Sequence, residues 1–143
     1  MKVKEILEQP GRLQEQINRN SSKIEYYRSQ MGGISSMGFE AAIPSSNPNT
    51  RSPQECFLAL VMELEEEIKT DKALQEKSIM EVIDLIGQLE NPNQWKALSL
   101  RYIGLFNVSE VAYRMNFSLR WTKQLLSDGL KALETKEENN ELL

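Results

Sequence analysis

Side chains able to do chemistry on their own are scarce in this chain. None of its 143 residues is histidine, so no Ser-His or Cys-His pair and no imidazole metal ligand can form. Cys56, next to Phe57, reads as a small apolar residue before it reads as a nucleophile. The densest carboxylates are Glu63, Glu65, Glu66, Glu67 and Asp71. At helical spacing they spread around the helix instead of converging, which predicts a solvated acidic face rather than a metal site. No catalytic constellation is visible, so no enzyme activity, no cofactor and no metal is expected. What remains is a set of cationic and amide side chains late in the chain: Arg101, Arg114, Arg120, Lys123 and Gln124, with Ser118 and Trp121 among them. Arginine and glutamine can engage guanine and adenine bidentately, and lysine and arginine can meet phosphates. The ligand class these residues suit is nucleic acid.

The elements that must position them lie in NVSEVAYRMNFSLRWTKQLLSDGLKALE, residues 107–134. Val108, Val111, Ala112 and Met115 follow the i, i+3, i+4, i+7 spacing of one apolar helical stripe. Asn116-Phe117-Ser118 supplies a residue tolerant of left-handed geometry, an apolar plug and an N-cap serine. The next helix turns Thr122, Leu125, Leu126, Gly129, Leu130 and Leu133 inward and leaves Arg120, Lys123, Gln124 and Ser127 on the other side. Short helix, tight turn and longer helix are the spacing of a DNA-binding helix-turn-helix, although plain helical bundles share it. Ahead of it, Asn91-Pro92 opens a helix from Gln94 to Phe106 with Trp95, Leu98, Tyr102 and Leu105 on one face. Residues 104–107 are the expected turn. Trp95, Leu98, Tyr102, Val111, Met115, Phe117, Leu125 and Leu130 would fill a trihelical core.

Upstream the pattern is one of packing. Leu13, Ile17, Asn20, Ile24, Tyr27 and Met31 step by four and three, the seam of a coiled coil within a helix over Val3–Met31. Pro10-Gly11 predicts a break or kink near its start. Residues 32–53 are rich in Gly, Ser, Asn and Pro and read as a flexible linker or functional loop. Met31, Ile34, Met37 and Phe39 could anchor part of it. Ser52-Pro53-Gln54-Glu55 then offers a capping box with proline at the first helical position. Phe57, Leu60, Val61, Leu64 and Ile68, followed by Ile79, Val82, Ile83, Ile86 and Leu89, predict one long helix. A stripe of that length needs helix 13–31 folded back on it, a second subunit, or both. A homodimer is expected.

The formal net charge of -4 would discourage a nucleic-acid partner if it were uniform. It is not: residues 92–136 carry seven basic side chains against three acidic, while residues 1–91 carry ten against fifteen. A lone cysteine rules out an internal disulfide framework and fits a reducing cytoplasm. Met1-Lys2-Val3-Lys4-Glu5 leads into no continuous apolar run, and no segment has the composition of a membrane span. A soluble, cytoplasmic, all-α protein is expected, with no membrane partner. Its regions would be a helical oligomerisation region at 1–90 with a linker at 32–53, a DNA-binding domain at 91–136 and an acidic tail at 137–143.

The run NPNQWKALSLRYIGLFNVSEVAYRMNFSLRWTKQLLSDGLKALE resembles region four of bacterial sigma factors, the helix-turn-helix that reads the promoter -35 element. Over nearly 1–134 the chain is similar to small phage-encoded regulators with a sigma-region-four-like end, the group containing ArpU-type late-gene regulators. Lys4–Leu7, Ile17-Asn18, Leu98, Arg101-Tyr102-Ile103, Glu110, Ala112, Phe117-Ser118, Leu130 and Leu133 carry that likeness. It implies a transcriptional regulator of phage or prophage type in a bacterial host cell, acting on late promoters, with double-stranded DNA and bacterial RNA polymerase as partners. Helix 118–134 would enter the major groove, Arg120 and Gln124 meeting base edges and Lys123, Arg114 and Arg101 meeting phosphates. Ser118 would cap that helix and could donate to a phosphate. Trp121 would either stack at the groove edge or cover the first helix.

Three residues depart from the pattern. Thr122 replaces an apolar residue, Asp128 stands where a basic residue is usual and would repel phosphate, and Gly129 replaces alanine at a cost of up to about 1 kcal/mol of helix stability. Two rival readings stay open. One is a DNA-packaging protein like a small terminase subunit, marked by a ring-shaped oligomer. The other is a polymerase- or partner-binding adaptor without strong DNA binding of its own.

Overall fold

The computed structural model describes residues 2–38 and 52–141. All regular structure among them is helical: α1 (Val3–Gly38), α2 (Pro53–Ile86), α3 (Pro92–Leu98), a π-helical turn (Ser99–Ile103), α4 (Val108–Met115) and α5 (Leu119–Glu141). None of these helices is long and apolar enough to cross a membrane. The chain divides into two compact units, one from residues 1–14 and 74–143, the other from residues 15–73.

In the second unit, the stretches of α1 and α2 run in opposite directions, since Asn20 meets Glu67 while Tyr27 meets Phe57. Ile17, Asn20, Ile24 and Val61 are buried, and Tyr27 stacks on Phe57 with ring centroids 5.7 Å apart. The four-and-three spacing of α1 therefore marks the buried seam. Asp71 joins that interior at 7 % exposure, and its Oδ2 has no hydrogen-bond partner. The acidic run of α2 disperses as its spacing predicts, except that Asp71, expected on the solvated face, is buried. Glu65 pairs with Arg28 at 2.5 Å, Glu66 with Lys69 at 3.4 Å, and Glu67 accepts from Asn20 Nδ2 at 3.2 Å. The start of α2 is a reciprocal capping box. Glu55 N–H donates to Ser52 Oγ at 3.2 Å and Ser52 N–H to Glu55 Oε2 at 3.3 Å.

Four sequence expectations about these helices fail. α1 does not break at Pro10: it is continuous from Val3, with Pro10 buried inside it. The lost backbone bond is outweighed by packing on both sides of the proline, because Val3 and Leu7 are buried before it and Leu13 after it. Gln75 Nε2 also donates to the Pro10 carbonyl at 3.2 Å and to Gln14 Oε1 at 2.9 Å. Second, α1 runs on through Gly32-Gly33 to Gly38, so the expected linker at 32–53 cannot begin at residue 32. Residues 39–51 and the proposed anchors Ile34, Met37 and Phe39 lie outside the described side chains. Third, Leu60 and Ile83 face solvent rather than the interior, while Leu85 is buried in their place. Fourth, α5 does not end at the acidic residues but carries Glu137 and Glu138 within its helix.

The first unit holds the larger core. Val3 and Leu7 of α1 and Val82, Leu85 and Ile86 of α2 join Ala97, Leu98, Val111, Leu125, Leu126 and Leu133 in one buried cluster. Tyr102, Met115, Phe117 and Leu130 pack half-buried against it. The three C-terminal helices thus do not close their core alone.

The expected helix over 94–106 is also different. Asn91 caps α3 by accepting from Asn93 N–H at 2.9 Å and Gln94 N–H at 3.3 Å, with Pro92 next in line. After Leu98 the helix widens, and Gly104 N–H donates to Ser99 O at 3.0 Å. Leu105 then adopts the left-handed region at φ 60°, costly for a branched side chain. The turn closes only because residue 104 is glycine. A Cβ there would lie 2.8 Å from both the Leu100 carbonyl and the Phe106 ring. Leu105 is consequently exposed, not core; Trp95, ahead of the turn, is exposed too, because small Ala97 and Leu98 form the inward arc of α3.

Candidate nucleic-acid interface

Local rules set the α4–turn–α5 segment. Asn107 Oδ1 accepts from Glu110 N–H at 2.9 Å and starts α4. Asn116 ends it in the left-handed region, φ 61° and ψ 41°, with its N–H on the Ala112 and Tyr113 carbonyls. Ser118 Oγ then accepts from Trp121 N–H at 3.1 Å, an N-cap worth about 1 kcal/mol. Thr122 is buried and its hydroxyl donates to the Ser118 carbonyl at 2.9 Å. That bond satisfies the polar atom which makes threonine an odd choice beside Leu125 and Leu126. The stripe Thr122, Leu125, Leu126, Gly129 and Leu133 is buried as its spacing predicts.

Gly129 has a reason that the sequence hides. A Cβ there would come 2.9 Å from Leu98 Cδ1, and Leu98 is itself fully buried. Glycine lets α5 lie against α3 at a distance alanine would not allow.

The opposite face of α5 carries the candidate reading groups. Ser118, Arg120, Trp121 and Gln124 line one shallow recess of about 190 Å³ at the start of the helix. Arg120, Lys123 and Gln124 are exposed, and Trp121 is 47 % exposed within that recess. Gln124 Nε2 donates to Asp128 Oδ1 at 2.9 Å, one turn further on.

The other two candidates stand apart. Arg114 lays its guanidinium over the Phe106 ring at 4.1 Å and lines a second recess of about 500 Å³ with Lys96, Trp95 and Phe117. Arg101 is half-buried and donates from Nη1 to the Phe106 carbonyl at 3.2 Å. It braces the strained turn, and its neighbour Tyr102 has its hydroxyl pKa raised by burial, with Arg101 pulling it back down and Glu8 adding a smaller rise. Lys96 and Trp95 are the residues that sequence reasoning did not single out. Lys96 was visible only as part of the local basic excess, and Trp95 was assigned to the core. No protein-family model, curated protein sequence or solved structure matches this chain.

Proposed function

We propose that the chain is a DNA-binding transcriptional regulator of phage or prophage type, reading duplex DNA with the first turns of α5. In this reading α4 and α5 form a helix-turn-helix of the sigma-region-four kind, and the helical stretches of α1 and α2 serve self-association as a dimer in the bacterial cytoplasm. The observation that carries it is the recess at the start of α5. One cation, one amide and one half-exposed indole project together from a helix whose other face buries Thr122, Leu125, Leu126 and Leu133. Base-edge contacts need such groups on a rigid element, free of the core. Arg120 and Gln124 are one turn apart on that face and become the base-reading pair, with Trp121 at the groove edge. Lys123 meets the backbone. Polymerase contact at late promoters follows from the sequence resemblance alone.

The second recess gives the adaptor reading one observation of its own. Trp95 and Phe117 between Lys96 and Arg114 would also suit an acidic segment of a partner protein.

Binding to the protein's own genomic DNA at one fixed salt concentration separates these readings. Arg120→Ala and Gln124→Ala should each lose about 1–3 kcal/mol on a footprinted site and little on mixed-sequence DNA. Lys123→Ala should weaken both alike and reduce the salt slope by about one. Folded Arg120→Ala and Gln124→Ala proteins that bind the footprinted site like the parent would end the proposal.

A further inference from the structure

We infer that Asp128 is a positioning residue that sets base preference, holding the Gln124 amide so that it takes adenine and rejects guanine. This rests on the proposed reading of DNA by α5 and adds to it a base identity and a residue outside the recess.

The bond fixes the amide orientation by chemistry. A carboxylate only accepts, so the Gln124 atom facing Asp128 Oδ1 at 2.9 Å must be Nε2. Nε2 has two hydrogens, and Asp128 takes one. The other, together with the Oε1 acceptor, remains for a ligand in the recess shared with Arg120 and Trp121. That pair, one donor beside one acceptor, complements adenine in the major groove, whose N7 accepts and whose N6 amino group donates. Guanine presents two acceptors, N7 and O6, and its O6 would face Oε1.

An unclamped glutamine could rotate its amide and soften that clash. Asp128 biases the amide against that rotation, so its contribution is to penalise the wrong base as well as to favour the right one. This also gives the carboxylate a use that offsets its repulsion of phosphate. The helix spacing makes the clamp possible, since residues four apart are neighbours on one face.

The test uses the full-length chain and a duplex pool randomised at its centre. The parent protein should enrich one sequence, and Gln124→Ala should erase the preference at one adenine position within it. At that position, Asp128→Ala should reduce the adenine-over-guanine ratio about twofold, the worth of one exposed side-chain pair four residues apart on a helix. Asp128→Asn, whose amide oxygen can still accept from Nε2, should retain most of the ratio. Both variants should bind mixed-sequence duplex slightly more tightly than the parent, because each removes a negative charge. Circular dichroism confirms that they fold. An unchanged ratio in Asp128→Ala, equal losses in the two variants, or guanine at the position read by Gln124 would each overturn the inference while leaving DNA reading by α5 intact. Failure of the parent to enrich any sequence would overturn both.

Discussion

The two compact units solve burial in opposite ways. In the unit of residues 1–14 and 74–143, the interior is largely apolar, its buried polar side chains being Ser78 and Thr122, and Thr122 has its hydroxyl on the Ser118 carbonyl. The unit of residues 15–73 puts Asn20 and Asp71 inside and leaves Asp71 Oδ2 unpartnered, while both units turn apolar side chains outward, Leu58 and Met62 in this one, Met80 and Tyr113 in the other. A core that is satisfied and closely approached by glycine specifies one geometry. An interior holding a carboxylate with one oxygen unpartnered is the pattern of a unit held below its stability optimum. The first unit holds α5 closely against α3.

The largest effects should come from filling the close approaches of the first unit. Gly104→Ala sets a Cβ 2.8 Å from a backbone carbonyl that has nowhere to go. A loss of about 2–3 kcal/mol is expected, at the upper end of typical overpacking. Gly129→Ala meets a buried leucine instead and gains helix propensity worth about 1 kcal/mol, so its net loss should be smaller, about 1 kcal/mol. Chemical denaturation of the two variants checks both the sign and the order. If Gly129→Ala is stabilising, α5 and α3 are not as close as described, and the first unit loses its distinguishing feature.

Legibility in the sequence follows the same divide between local and distant causes. The capping box at Ser52 and Glu55, the left-handed Asn116, the Ser118 cap and the buried face of α5 were all readable, because each depends on residues within a turn or two. The exposure of Leu105 was not, since a π-helical turn at Ser99–Ile103 shifts every later side chain away from its 3.6-residue position, and nor was that of Trp95, where the buried arc of α3 centres on Ala97 and Leu98. Nor could periodicity show that Val3 and Leu7 share a core with Leu98 and Leu133, which lie more than ninety residues further along the chain. Gly129 read as a defect because its reason, Leu98, sits on another helix. At the candidate interface the residue types were legible, but their grouping was not. Arg120, Trp121 and Gln124 come together, while Arg101 is drawn into bracing a turn.

Asp71→Leu reverses the sign of the expected effect and probes the second unit. Replacing a buried carboxylate that has one oxygen unpartnered by an apolar side chain removes a desolvation penalty of roughly 1–3 kcal/mol. Part of that is lost to imperfect packing, so a gain of about 1 kcal/mol is expected, seen as a rise in unfolding temperature. A loss instead would mean that Oδ2 has a donor in solution, and the contrast between the units would weaken.

The smallest change in stability, and the sharpest test of what the second unit is for, should come from Leu58→Lys combined with Met62→Lys. Leu58 is 48 % and Met62 58 % exposed, so neither contributes much to the packing of its own chain. Exposed substitutions of this kind usually fall within about 0.5 kcal/mol of the parent. Residues 58 and 62 are one helical turn apart and so lie on one face of α2, displaced from the face that holds Phe57 and Val61. A partner seated on that face would meet two buried ammonium groups in place of apolar side chains, and burying an unpaired charge is prohibitive. The variant should therefore keep its helicity and unfolding midpoint while light scattering shows a shift from dimer to monomer. Leu64→Lys with Ile68→Lys is the control, because those half-buried residues face the interior and should lower stability as well as association. A Leu58→Lys, Met62→Lys protein that remains a dimer would show that the outward apolar face of α2 is not where two copies meet, and the association surface would have to lie on α1 or in the other unit.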